Sequence, residues 1–410
     1  MKPQLMLCAF LFCFGEVMAQ TPADLYRKGD AFLKEQDYKK AAQAYAEGIR
    51  AEGATASIVR YRTVAASWAQ AGVADSAFYF LDQIATSAQT NKTIARMIEY
   101  GAEFTSLHTD KRWKKMLSNI QAAADTNGYV QEEFIYGRKD GVALTLIQIK
   151  PKVKPNGKAI IFVVSGNWVS SYNGIEMSTT TVNSFLTKGY TVFAAVHGSN
   201  PRYAIPDAIS DIKRAVRYVR YHAKKFNIDP HHIGITGISA GGHLSLVVAT
   251  AEDSMNPLSI DPVDRVSSRV QAVAVLFPPT DLLNWGGAGF NMVNAKELVK
   301  ARGIYGAIDF REWNEQFRIY EEVADTSTRN KIGMAISPVN FVSSDDPPVF
   351  IIHGDADATV PLQQAQIFIA KLNEAGVKNK FIVKKNGRHV FTDMLPEHNQ
   401  FADWFDEHLK

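Results

Sequence analysis

A serine between two glycines, Gly237-Ile238-Ser239-Ala240-Gly241, is the first chemistry the chain offers. A serine hydroxyl is a weak nucleophile until a base takes its proton and a third group orients that base. In a G-x-S-x-G elbow the serine occupies a strained turn between a strand and a helix, and small flanking residues let the two elements crowd together. The apolar stretches 233–236 and 244–251 supply such a strand and such a helix. The hydroxyl would then stand at a helix N-terminus, where free N–H groups and the dipole favour a developing negative charge.

An acid and a base should follow in the order Ser, acid, His. Beyond the apolar run 348–352 comes His353-Gly354-Asp355-Ala356-Asp357. A carboxylate just past a parallel strand lies at the sheet edge where ligands bind, and Asp355 and Asp357 both meet that condition. Asp281, past the run 270–276, is a third carboxylate, expected to cap a helix. Of ten histidines, only His389, His398 and His408 follow Asp355 and Asp357. His389 comes just after the run 380–383 and is the expected base. His398 and His408 fall in an amphipathic terminal helix and are expected to be solvent-exposed. His243, one turn after the serine, is expected to be a buried structural histidine. An oxyanion hole needs two backbone N–H groups aimed at the developing charge. Ala240 should give one, and Gly166 or Asn167, in Ser165-Gly166-Asn167-Trp168 after the run 159–164, the other. Glycine permits close approach, and asparagine tolerates left-handed backbone.

The elements that must position these groups are legible as a pattern. Short runs apolar on both faces, at 159–164, 191–196, 233–236, 270–276, 348–352 and 380–383, alternate with helical stretches. They read as buried parallel strands. A helix is expected over 206–226, with Pro206 in its first turn, acids near its start and Lys224 and Lys225 near its end. An antiparallel hairpin around Arg138-Lys139-Asp140-Gly141 opens the series. The fold class is α/β, a doubly wound and mostly parallel sheet, preceded by a small all-α segment. Residues 285–335 interrupt the alternation with many aromatic side chains and form a candidate cap over a pocket.

The first residues read as an export signal over 1–19: Lys2, an apolar core at 5–14, and Val17-Met18-Ala19 before cleavage. That apolar core is too short to span a bilayer. Both cysteines, Cys8 and Cys13, fall inside it, so the mature chain would have no disulfide and no thiol nucleophile. A periplasmic or secreted bacterial protein is expected. Residues 20–127 read as paired helices. Aligning Ile49 with Ile84 gives a 35-residue offset, with Ala42 matching Ala77 and Tyr45 matching Phe80. The spacing resembles tetratricopeptide repeats, either a helical appendage or a surface for a protein partner. A net charge of +3 gives no reason to expect nucleic acid as a partner. Residues 128–410 form the second domain.

The region from about 130 to 410 resembles the α/β-hydrolase superfamily, in its exported carboxylesterase branch, and is similar to acetylxylan- and feruloyl-esterase-like enzymes. The resemblance rests on Gly237-Ile238-Ser239-Ala240-Gly241-Gly242-His243-Leu244, the preceding Asp229-Pro230 with its Arg-rich helix, and His353-Gly354-x-x-Asp357-x-x-Val360-Pro361. It implies Asp357 rather than Asp355 as the acid, a Ser239–His389–Asp357 triad, a small-molecule or carbohydrate ester as substrate, and no cofactor or metal. Where such enzymes often carry His-Gly-Gly-Gly-Trp at the oxyanion loop, this chain has Ser165-Gly166-Asn167-Trp168, and Ser165 could act as a local anchor. Two other functions fit the same residues: a serine peptidase of the prolyl-oligopeptidase-like branch, and a repeat-mediated binding protein with an inactive hydrolase domain.

Overall fold

The computed structural model describes residues 21–410 except 54–55, 88, 127–128, 153, 173–181, 254, 288–289 and 390–393. The expected export signal and both cysteines lie outside the described residues. Among the described residues no helix is long and apolar enough to cross a membrane.

The chain forms two compact units, one of residues up to Ile84 with Tyr100–Met116, the other of Ala85–Glu99 with Leu117–Lys410. The first holds helices α1 (Pro22–Lys34), α2 (Tyr38–Glu52), α3 (Ile58–Gln70) and α4 (Ala74–Thr86). Thr21, Asp37 and Ser57 cap the first three through their side-chain oxygens, satisfying N–H groups that a helix start leaves unpaired. Small residues let α1 and α2 approach: a Cβ on Gly29 would meet the Tyr45 ring, and one on Gly48 the Tyr26 ring. Ala42, Ala77 and Tyr45 are buried, and Phe80 packs partly buried against the core of Tyr26, Tyr45, Ile49 and Val64.

The second unit is built on an eight-stranded sheet in the order β1-β2-β4-β3-β5-β6-β9-β10. Strands β1 (Tyr129–Lys139) and β2 (Val142–Pro151) form the antiparallel hairpin, turning through Asp140 and Gly141 at positive φ. The hairpin adds antiparallel to β4 (Thr191–Val196). From there β3 (Ala159–Val164), β5 (Ile233–Ile238), β6 (Ala272–Leu276), β9 (Val349–Gly354) and β10 (Asn379–Lys384) continue in parallel. Both faces are covered. Along β3, Ala159, Ile161 and Val163 enter one core, and Ile160, Phe162 and Val164 enter the other. This explains why the strands read as continuous apolar runs rather than alternating ones. The expected helix 206–226 is Ile205–Tyr221, broken at His222 and resumed for one turn at Ala223–Phe226.

Residues 285–335 lie between β6 and β9. They hold a short helix, Lys296–Ala301, a small hairpin of β7 (Arg311–Asn314) and β8 (Ile319–Glu322), and a helix, Thr326–Ala335. Arg329 is fully buried among them. Its guanidinium donates to the carbonyls of Val293, Ile308 and Val323, so one buried cation ties three segments together, with no acidic partner among the described residues.

Candidate active site

Ser239 follows β5 directly and is the N-cap of the helix Ala240–Thr250, with φ 54° and ψ −117°. A non-glycine residue at such a φ is strained, and the surroundings hold it there. Its N–H donates to the Leu276 carbonyl at 3.0 Å, and its carbonyl accepts from His243 N at 2.9 Å. The glycines are required by space. A Cβ on Gly237 would run into the Gly241 carbonyl, and one on Gly241 would lie 2.6 Å from the Val163 carbonyl oxygen.

Because β5, β6, β9 and β10 are parallel neighbours, the loops leaving their carboxyl ends gather at one edge of the sheet. Three of those loops bring side chains into one line. His389 Nε2 lies 3.0 Å from Ser239 Oγ, and His389 Nδ1 lies 2.7 Å from Asp357 Oδ2. The Asp357 side chain is fully buried. Its Oδ1 accepts from Thr359 N at 2.8 Å and Val360 N at 2.9 Å. Burial pushes this carboxyl up, but hydrogen bonds from His353, His389 and the Val360 amide outweigh it and hold it well below the usual carboxylate range. The Phe277 ring, 4.5 Å from the His389 ring, walls the imidazole on one side.

The remaining carboxylates and histidines are accounted for elsewhere. Asp355 accepts from Asn386 N at 2.5 Å and so holds the turn that leads to His389. Asp281 does not cap a helix. Its Oδ1 accepts from Leu283 N at 3.0 Å within a turn. His398 is not solvent-exposed: it is completely buried against Phe185 and Phe401, with Nδ1 donating to the Met394 carbonyl. The His408 side chain is also largely covered, lying against the Trp404 ring. His353 had no role assigned from the sequence. It is buried at the end of β9, with Nε2 2.9 Å from the Val360 carbonyl and 3.3 Å from Asp357 Oδ2. A histidine ending a buried strand four residues before the acid was the available signal.

The loop after β3 departs from expectation at one residue. Gly166 N donates to the Val169 carbonyl at 2.9 Å and Val169 N returns to Gly166 at 2.8 Å. The Gly166 amide is therefore engaged inside its own turn. Asn167 and Trp168 follow at φ 51° and 57°. Among the described residues the Asn167 N–H has no acceptor, and Asn167 lines the same cavity as Ser239 and Ala240. Ala240 opens its helix, where N–H groups have no intrahelical partner.

Two buried histidines fix this loop. Trp168 Nε1 donates to His243 Nδ1 at 3.0 Å, and His243 Nε2 donates to the Ile336 carbonyl at 2.7 Å. Ser165 Oγ lies 2.9 Å from His197 Nε2, with His197 Nδ1 against the Gly198 carbonyl. Burial pushes both imidazoles down to about 4. A base whose folded pKa is lowered binds its proton more readily in the unfolded chain. Stability is then lost as pH falls from about 6.5 towards 4, by up to about 1.4 kcal/mol per pH unit for each ring. Urea unfolding midpoints at pH 7 and pH 5 should show that loss, and equal midpoints would contradict it.

A cavity of about 390 Å³ opens over Ser239. It is lined by Asn167, Trp168 and Ala240, by Ala358, Thr359 and Val360, and by Trp285, Met292, Arg302 and Ile304 of the insertion. A serine hydroxyl hydrogen-bonded to an imidazole, beside amides at a helix start and inside a pocket of mixed polar and apolar lining, is equipped for acyl transfer.

The BD-FAE family model matches residues 146–372. The chain is 29% identical over 247 residues to Esterase LipQ of Mycobacterium tuberculosis, which covers 59% of this chain and 52% of that protein. It is 25% identical over 297 residues to an acetylxylan esterase of Xylanibacter ruminicola, covering 72% of this chain and 51% of that one. Thus the chain spans about half the length of the curated relatives it matches. A solved truncated form of a carbohydrate esterase from gut microbiota superposes with TM-score 0.54 and 28% identity, over 68% of this chain and 97% of the other.

Proposed function

The chain belongs to the BD-FAE family, and we propose that it is a serine hydrolase of carboxylic esters, acting on small acyl esters borne by carbohydrate. The observation that carries this is the hydrogen-bonded line from Ser239 through His389 to Asp357. Relatives named as esterases, acetylxylan esterase and carbohydrate esterase support the ester and the sugar.

In this reading His389 Nε2 takes the proton of Ser239 Oγ as the oxygen attacks the acyl carbon. The buried Asp357 carboxylate keeps the proton on Nδ1 and stabilises the imidazolium that forms. The Ala240 and Asn167 N–H groups receive the developing oxyanion, an arrangement typically worth about 10²–10³ in rate per donor. The protonated imidazole then gives its proton to the departing alcohol, leaving an acyl group on Ser239. Water, deprotonated by the same imidazole, releases the acid.

We place the protein outside the cytoplasm, on the strength of the signal-like residues 1–19. The helical unit serves as an appendage, and its groove between α2, α3 and α4, lined by Tyr61, Trp68 and Phe80, is where a protein partner would engage. The chemistry is tested with an alkyl fluorophosphonate. The probe should stop p-nitrophenyl acetate hydrolysis and appear by peptide mapping on Ser239. Full activity after labelling, or label on another residue, would overturn the assignment.

A further inference from the structure

The cavity over Ser239 contains one charged side chain that the proposed chemistry does not use. Arg302 lines it, just past the end of the helix Lys296–Ala301, and is solvent-exposed. Among the described residues its guanidinium has no ion-pair or hydrogen-bond partner. Several other cations of the same insertion are matched, Lys296 with Glu322, Lys300 with Glu297, Arg311 with Asp309 and buried Arg329 with its three carbonyls, while Arg318 and Lys331 are exposed and do not line the cavity. The walls beside Arg302 are Trp285, Met292 and Ile304, which offer a neutral substrate hydrophobic contact but give a cation nothing to pair with.

We propose that Arg302 makes this site selective for esters whose substrate also carries a carboxylate, and that this anion is held by the guanidinium while the ester reaches Ser239. The inference rests on the ester-hydrolase reading above. The reasoning is chemical. A guanidinium presents a planar fork of N–H donors that matches a carboxylate in two parallel hydrogen bonds. Placed in an otherwise uncharged cavity, it discriminates between an anionic substrate and its neutral counterpart without altering the bond-breaking groups. The carboxylate can belong to the acyl chain, as in a half-ester of a dicarboxylic acid, or to the alcohol, as in an acylated uronic acid. Both place the same anion within one cavity of about 390 Å³.

Two matched pairs of substrates separate these sources. The acyl pair is mono-p-nitrophenyl adipate against p-nitrophenyl methyl adipate. The alcohol pair is methyl 2-O-acetyl-glucuronoside against methyl 2-O-acetyl-glucoside, followed by acetate release. The wild-type protein should favour the anionic member of at least one pair by about tenfold in kcat/KM, carried mainly in KM. Arg302→Gln should bring that ratio close to one, and Arg302→Glu should invert it. The wild-type preference should also weaken as salt is raised from about 0.05 to 0.5 M. The readout is a ratio within each pair, so a variant of lower overall activity still reports. Ratios near one in both pairs for the wild-type protein, or a preference that survives Arg302→Glu, would overturn the role of Arg302 and leave the ester-hydrolase reading standing. Failure of the wild-type protein to turn over any of the four esters would overturn that reading, and this proposal with it.

Discussion

Ser239→Ala is expected to lower kcat on p-nitrophenyl acetate by about 10⁶-fold, the loss seen when the nucleophile of a comparable triad is removed. The size follows from how completely the surroundings serve one atom. Ser239 is held at φ 54°, and only its Oγ meets His389 Nε2. The Ala240 and Asn167 amides can still polarise a bound carbonyl in the variant, so a residue of about 10³–10⁴ over water should persist. The variant should fold. Alanine fits the space, and the N–H and carbonyl bonds of residue 239 to Leu276 and His243 are backbone bonds that it keeps. Rates of the purified variant and parent, with circular dichroism to verify folding, make the comparison. Retention of more than a few per cent of activity would mean that Ser239 is not the nucleophile.

Asp357→Asn should cost about 10⁴-fold in kcat, although it changes one atom. Asp357 Oδ1 already accepts two amides, from Thr359 and Val360. An asparagine would keep its carbonyl oxygen there, which turns its NH₂ towards His389 Nδ1. That nitrogen would then accept rather than donate, and the proton would move to Nε2, where it blocks removal of the Ser239 proton. Asp355 offers the control. It holds the Asn386 turn and does not touch the imidazole, so Asp355→Asn should retain kcat within a few-fold. Equal losses in the two variants would show that the effect is structural and not one of tautomer.

The residues of the site were legible because each is announced locally. Ser239 stands between a short apolar strand and an apolar helix, and Asp357 and His389 each follow a strand of their own. What joins them is the parallel sheet, which puts successive strand ends on one edge whatever the separation in sequence. The pattern of the strands was legible for the same reason. Burial on both faces makes β3, β5 and β9 continuous in hydrophobicity, and chain neighbours such as Ile160 and Ile161 enter opposite cores. What stayed unread was a backbone pairing within one loop and contacts between residues far apart in the chain. No local feature shows that the Gly166 amide closes a two-bond turn with Val169. The polar neighbours of His398 suggest an exposed helix face, yet the adjoining Glu397 is also buried, paired with Lys384. The exposed β7–β8 hairpin buries almost nothing, and its Trp313, Ile319 and Tyr320 form neither a continuous run nor an alternating pattern to read.

One ring in this molecule has two employers. His243 belongs to the helix that begins beside Ser239, and its two nitrogens hold the indole of Trp168 on one side and the carbonyl of Ile336 on the other. Ile336 is the residue at which the long segment between β6 and β9 returns from its last helix. A shift at the exit of that segment is passed through a single imidazole to the loop carrying Asn167. A transplant of the segment from one relative to another has its natural seam before Ile336. The trait it would carry across is the outline of the pocket, while the machinery of bond cleavage stays with the recipient.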